Sequence, residues 1–319
     1  MLSRRAAVYL AQRLILVLLT TLVVSSAVFI GIHLLPGSPF VTTQRRSPQT
    51  VAMLNRVYHL NLPLVQQYRI FLTGLLHGNL GQSLIYRGEE ITPLLVREAT
   101  VSAEIGAVAV LFTVIIGGAL GTVAALRQNS WVDYLATSTA VVGYSVPNFV
   151  TASVFVIVLG VWLYNLTGGA AYYAIGWQGV YGTLPQVAIP AFALGFPFAS
   201  IVARLTRASL VEALHQDYIR TARAKGVSRR AIVLRHGLRN ALIPVLSIMG
   251  TLALGLITGS VVVENIFGIP GLGHQFITSI TNHDYNIVIA VFTLFAALVG
   301  LANLTVDILY TVVDPRIRF

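Results

Sequence analysis

Apolar residues come in long unbroken runs along this chain, and the polar residues crowd into the gaps between them. Residues 14–35 and 105–126 are uncharged runs of 22 residues each. Residues 134–203 hold no Asp, Glu, Lys or Arg across 70 positions. A helix covers a hydrocarbon core of about 30 Å with roughly 20 apolar residues, so this stretch is too long for one crossing. It divides at 165–183, a segment rich in Gly and Tyr that reads as a short external loop. Spans are therefore expected near 134–164 and 184–203. Residues 240–263 predict a fifth span, and 285–306, bounded by Asp284 and Asp307, a sixth. The pattern predicts an all-α integral membrane protein with six transmembrane helices.

Two polar gaps stand out. Residues 37–100 are broken by Pro39, Pro48 and Pro63 and punctuated by Gly74, Gly78 and Gly81. Within them, 57–76 has helix-like apolar spacing. This reads as a small extracytoplasmic cap of short helices, too short and too polar to fold alone. The second gap, 204–239, gathers nine of the 21 basic residues against two acids, Glu212 and Asp217. The expected organisation is a tail and first helix at 1–36, an extracytoplasmic insertion at 37–98, a five-helix core at 99–310 and a cytoplasmic tail at 311–319.

Composition agrees with a membrane protein. The chain is 56% hydrophobic and 10% charged, against roughly 25% charged for a soluble domain, and its mean hydropathy is +0.78. The net charge of +10 is carried almost wholly by Arg, since Lys225 is the only lysine. Cytoplasmic loops of membrane proteins collect such charge. With both termini inside, 15 basic residues would be cytoplasmic and six external, all between Arg45 and Arg97 and beside Glu89, Glu90 and Glu98. The first run exceeds the roughly 7–15 residues of a signal-peptide core, and LLPGSP rather than a cleavage site follows it. A retained first span is expected. The absence of Cys excludes disulfides, thiolate nucleophiles and cysteine metal sites.

Function classes narrow by elimination. A proton relay places ionisable residues inside the spans, but only Glu104, His33 and Asp307 come close, each near a span end as an interfacial or capping group. The surroundings of Lys225 do not fit GxxxxGK[ST], and neither HExxH nor GxSxG is present. The seven His show no ligand-like pairing. No catalytic residue, metal site or bound cofactor is expected, and if transport is active its motor is on another chain. The rival is an ion- or proton-coupled carrier or channel working without an ATPase. Inverted repeats with broken helices would favour the carrier, and neither is visible.

The basic gap has internal order. Asp217 is placed to cap a short helix on which Tyr218, Ile219 and Ala222 share one face and Arg220 and Arg223 another. Gly226 ends it, and Ser228 caps a second helix at 229–239 that runs toward the fifth span, with Pro244 in the join. Such an element either transmits force or lies as a charged face on anionic headgroups. Pro147 in the third span and Pro185, Pro190 and Pro197 in the fourth are either hinges or fixed bends. Gly250, Gly255 and Gly259 either line a pathway or allow close helix packing. Asn148 is the best polar candidate for a pathway.

The residues also carry a resemblance. DYIRTARAKG (217–226) with RHGLRNALIP (235–244) is similar to the cytoplasmic EAA loop of ABC-importer permeases of the peptide/nickel family. GSVVVENIFGIPGLG (259–273), HDY (283–285), DPRIRF (314–319), LLPGSP, LNLPLVQQY (60–68), GNLGQS (78–83) and YSVPNF (144–149) extend the likeness over essentially the whole chain. The long segment after the first span resembles the "B" permease of a heterodimeric pair. Arg220-Thr221-Ala222 stands where the general motif has Glu-Ala-Ala, and Gly226 is farther from Pro244 than in that motif. The resemblance implies a type I ABC-importer permease fold in a bacterial inner membrane. It implies a second permease subunit, two ATP-binding subunits carrying ATP and Mg, and an extracytoplasmic solute-binding protein. It further implies that Asp217, Tyr218, Ile219, Arg220, Thr221, Ala222, Arg223, Ala224, Lys225 and Gly226 form a coupling helix that docks on the ATPase. The loop 264–273 is then a gate, a contact for the binding protein, or a plain re-entrant turn. The implied substrates are di- and oligopeptides or related solutes.

Overall fold

The computed structural model describes residues 4–34, 39–40, 47–86, 88–168, 175–179 and 182–313. Among these residues thirteen α-helical segments follow one another: α1 (Arg4–His33), α2 (Pro48–Val57), α3 (Leu64–Leu76), α4 (Ile91–Leu126), α5 (Trp131–Ser145), α6 (Asn148–Phe155), α7 (Leu163–Leu166), α8 (Leu184–Leu214), α9 (Asp217–Ala224), α10 (Arg229–Ala231), α11 (Arg239–Phe267), α12 (Leu272–Thr281) and α13 (Tyr285–Val313). Widened π-type turns at Val156–Trp162 and Ile232–Leu238 join α6 to α7 and α10 to α11. Among the described residues the only β-type pairing is an isolated bridge between Gln82 and Glu90.

Among the described residues five helices are long and apolar enough to cross a membrane, and α5 with α6 supplies a sixth if that pair is one span. The expected third span is not a straight helix: its two parts meet at 104°. Proline disfavours helical backbone in the residue before it, and Val146, ahead of Pro147, is extended at φ −85 and ψ 123. Pro190 and Pro197 behave differently, because both lie buried inside an unbroken α8. Pro185 sits in the first turn of α8, where no hydrogen bond is lost. In the stretch 57–76 the helical spacing belongs to α3, which starts after Pro63; Val57 is the last residue of α2, and a turn with His59 at φ 61 lies between them.

The chain forms two compact units. The first comprises Met1–Ser102 and Pro270–Leu304. In it α3 leans on α1. Ser26 Oγ and the Tyr68 hydroxyl are 2.5 Å apart, and His33 Nε2 lies 3.1 Å from Gln67 Oε1. Phe29 stacks between His33 and Phe71. Ile91, Leu94 and Leu95 of α4 bury themselves against Leu272 of α12 and Ile287, Ala290 and Val291 of α13.

The second unit comprises Ala103–Ile269 and Thr305–Arg318, with α8 its most buried span. Lipid offers no hydrophobic drive between helices, so small residues that let backbones approach hold them together. A Cβ on Gly117 of α4 would meet Ala199 O of α8 at 2.6 Å. One turn on, Gly121 faces Ala203 O. Gly195 of α8 returns the contact, and Thr113 donates to its carbonyl at 3.2 Å. Gly250 sits against Val306, whose Cγ1 is 3.0 Å from where its Cβ would be. Gly255 and Gly259 belong to α11, but their surroundings lie outside the described residues.

Candidate functional site

The residues of DYIRTARAKG come together as α9 and its C-terminal turn. The cap is Gln216, in extended backbone at φ −70 and ψ 154, and not Asp217. Asp217 is instead the first helical residue, where its carboxylate meets the positive end of the helix dipole. Its side chain and that of Arg220 approach to 3.4 Å at the surface, a pairing worth little in water.

Burial divides the faces of α9. Ile219 (0% exposed) and Ala222 (7%) pack with Ile232, Leu214 and Val227. Tyr218 does not join them; it is 40% exposed, and its hydroxyl accepts from Asn240 Nδ2 at 3.1 Å. Tyr218 and Arg223 thus flank the buried stripe, leaving Asp217, Arg220, Thr221 and Ala224 facing outward.

The end of α9 is a paired-hydrogen-bond stop. Gly226 N donates to Arg223 O at 3.0 Å and Val227 N to Ala222 O at 3.2 Å. Gly226 has φ +73, a conformation that costs other L-residues about 1–2 kcal/mol. Val227 then folds back onto the helix it follows. Ser228 Oγ accepts from Ala231 N at 3.4 Å and caps the next helix. That helix is not a separate piece at 229–239. It continues in helical backbone through the widened turns into α11. Gly237, in those turns, closes on Leu210 and Leu214 of α8. The short α9 is therefore seated on the ends of two spans.

Two arginines of the basic stretch have structural partners, for α8 runs to Leu214 and includes them. Arg207 makes a bidentate pair with Asp133 of α5, Nε to Oδ1 at 2.5 Å and Nη2 to Oδ2 at 2.6 Å. Asp133 also accepts from Asn129 N at 2.9 Å. Arg204 lies over the Tyr144 ring, 5.2 Å from its centre.

The other expected residues lie elsewhere. Asn148, half-buried, starts α6 at the bend made by Pro147. The loop 264–273 contains the end of α11 at Gly268, φ 66, and the start of α12, a helix that the apolar pattern does not announce. Asp284, the middle residue of HDY, bounds the last span. It is fully buried and joins GNLGQS to HDY, since Ser83 Oγ donates to its Oδ2. An Asp directly ahead of an apolar helical run is a capping signal, but its second partner has no local signature.

Several apolar spans, some packed through glycine contacts, with a short seated helix between two of them, define a multi-pass membrane protein. Residues 117–319 match the family described as "Binding-protein-dependent transport system inner membrane component". The chain belongs to that family, and it is a transport permease rather than an enzyme. The oligopeptide transport system permease protein OppB of Escherichia coli (strain K12) is 40% identical over 311 residues, 98% of this chain and 99% of that protein. The dipeptide transport system permease proteins DppB of Bacillus subtilis (strain 168) and of Lactococcus lactis subsp. cremoris (strain MG1363) are 38% and 36% identical, with 97% of this chain covered in each case. They cover 97% and 99% of those relatives' own lengths, respectively.

Proposed function

We propose that this chain forms half of the translocation pathway of an ABC importer for di- or oligopeptides, coupled to ATP hydrolysis on separate subunits. The relatives' names support the substrate class. The observation that carries the coupling reading is the seating of α9, with its inner stripe locked and its outer face free. The charge distribution supports both termini and residues 204–239 on the cytoplasmic side, with 37–98 outside.

In this reading the chain performs no chemistry. ATP and Mg are held by two ATP-binding subunits, and a solute-binding protein delivers peptide to a pathway shared with a second permease. Movement of the ATPases pushes on Asp217, Arg220, Thr221 and Ala224. Ile219 and Ala222 pass the force to Leu214 at the end of α8 and to Ile232 ahead of α11. Close packing makes that path stiff. The spans then exchange inward and outward access, with Pro147 and Asn148 at the bend of the third.

Co-purification tests the reading. The full chain, co-expressed with its partners, is expected to carry an ATP-binding subunit through detergent extraction. Arg220→Glu with Ala224→Glu on the outer face is expected to abolish both that capture and peptide-stimulated ATP hydrolysis. Undiminished capture and hydrolysis in this variant would refute coupling through α9.

A further inference from the structure

A groove of about 500 Å³ lies beside α9, within the second unit. Leu126 at the end of α4, Leu214 at the end of α8, and Ile232 and Val233 in the widened turns form its apolar wall. Arg223 and Arg229 line it as well, and no acidic residue does. Neither arginine has an ion-pair partner among the described residues, whereas Arg207 and Arg220 each have one.

We propose that this groove holds the headgroup of an anionic phospholipid, its phosphate between the guanidinium groups of Arg223 and Arg229. The inference rests on the proposed orientation, which puts the groove at the cytoplasmic surface of the bilayer. Two features favour a lipid over a soluble partner. The apolar wall is built from the ends of α4 and α8, both helices able to cross a membrane. The lining combines two cations with aliphatic side chains, matching the split of a phospholipid into charged head and apolar chain. Guanidinium suits this position because its planar fork takes two phosphate oxygens at once. Basic pockets between spans on the cytoplasmic side are suited to anionic headgroups. On α9, Arg223 flanks the buried stripe on the side opposite Tyr218, away from the outward face used for coupling. The basic residues of this stretch thereby divide. Arg207 braces α5 to α8, Arg220 belongs to the outward face, and Arg223 and Arg229 hold lipid.

The test uses the full chain, purified with the subunits it carries into nanodiscs of mixed phosphatidylglycerol and phosphatidylcholine. Lipid retained after detergent extraction is weighed by native mass spectrometry. Wild type is expected to retain phosphatidylglycerol over phosphatidylcholine. Arg223→Gln with Arg229→Gln should lower that retention roughly fivefold per arginine, while Arg223→Lys with Arg229→Lys keeps most of it and shows that the fold survives. Arg220→Gln should leave retention unchanged. Unaltered retention in the glutamine pair, an equal loss in Arg220→Gln, or displacement by millimolar inorganic phosphate alone would each overturn the proposal. Capture of the ATP-binding subunit is scored in the same samples. Its absence from wild type would defeat the coupling reading without touching the lipid result.

Discussion

Ser83 Oγ donates to Asp284 Oδ2 at 2.5 Å, across 201 positions of sequence. The same carboxylate accepts from Leu84 N at 3.2 Å and Ile85 N at 3.3 Å, and from Ile287 N at 3.4 Å in the first turn of α13. Ser83 Oγ in turn accepts from Tyr86 N at 2.8 Å. One fully buried carboxylate thus closes the turn after GNLGQS and caps a span.

Asp284→Ala is expected to be the most damaging single change in this part of the molecule. It strands a hydroxyl and several backbone N–H groups, at about 2–4 kcal/mol in all. Asp284→Asn keeps one acceptor oxygen and should cost less. Ser83→Ala should cost least, because the carboxylate retains its backbone donors. Thermal unfolding of the three purified variants in one detergent checks the order, and an equal or larger loss for Ser83→Ala would contradict it.

The Asp133–Arg207 pair predicts a coupled loss. Asp133 is almost wholly buried and Arg207 about a third exposed on its side chain, so water already screens part of the attraction. Asp133→Asn or Arg207→Gln should each destabilise by about 1–3 kcal/mol. Removing both should cost less than the sum, since neither charge is then left alone. Arg207→Lys should rescue poorly, because an ammonium cannot make both bonds. A double-mutant cycle on thermal stability gives the answer; strict additivity would mean that the pair does not brace α5 to α8.

Two neighbouring glycines should respond in opposite ways to the same methyl group. At Gly117 it collides with the Ala199 carbonyl, at 2.6 Å from the new Cβ, and overpacking costs about 1–3 kcal/mol. At Gly118 nothing lies within 4 Å, and alanine favours the helix by about 1 kcal/mol. Melting of Gly117→Ala and Gly118→Ala variants should therefore move down and up respectively. The same direction for both would remove the close α4–α8 approach as the cause.

Much of this was legible because the bilayer imposes simple demands. The run at 14–35 and the last span could be read from apolar length alone. Gly226 and Ser228 announced a stop and a cap, and both do those jobs. The errors arise where a distant partner changes what a residue can tolerate. Arg204 and Arg207 read as loop, yet α8 continues through them because Tyr144 and Asp133 receive their charges. Pro147 breaks its span while Pro190 and Pro197 do not, and composition around them does not separate the cases. Tyr218 fits the apolar face by spacing, but Asn240 draws its hydroxyl to the surface. Helix α12 is only ten residues long and follows Gly268, Pro270 and Gly271, so turn signals conceal it.

The most direct test of coupling exploits the absence of cysteine from the whole chain. A single Thr221→Cys on the outer face of α9 can be cross-linked to a cysteine introduced in the ATP-binding subunit, with Ala222→Cys, 7% exposed, as the inward control. The account predicts an efficient cross-link from position 221 that changes with nucleotide, and little or none from 222. No cross-link from 221, or equal yields from the two positions, would contradict it.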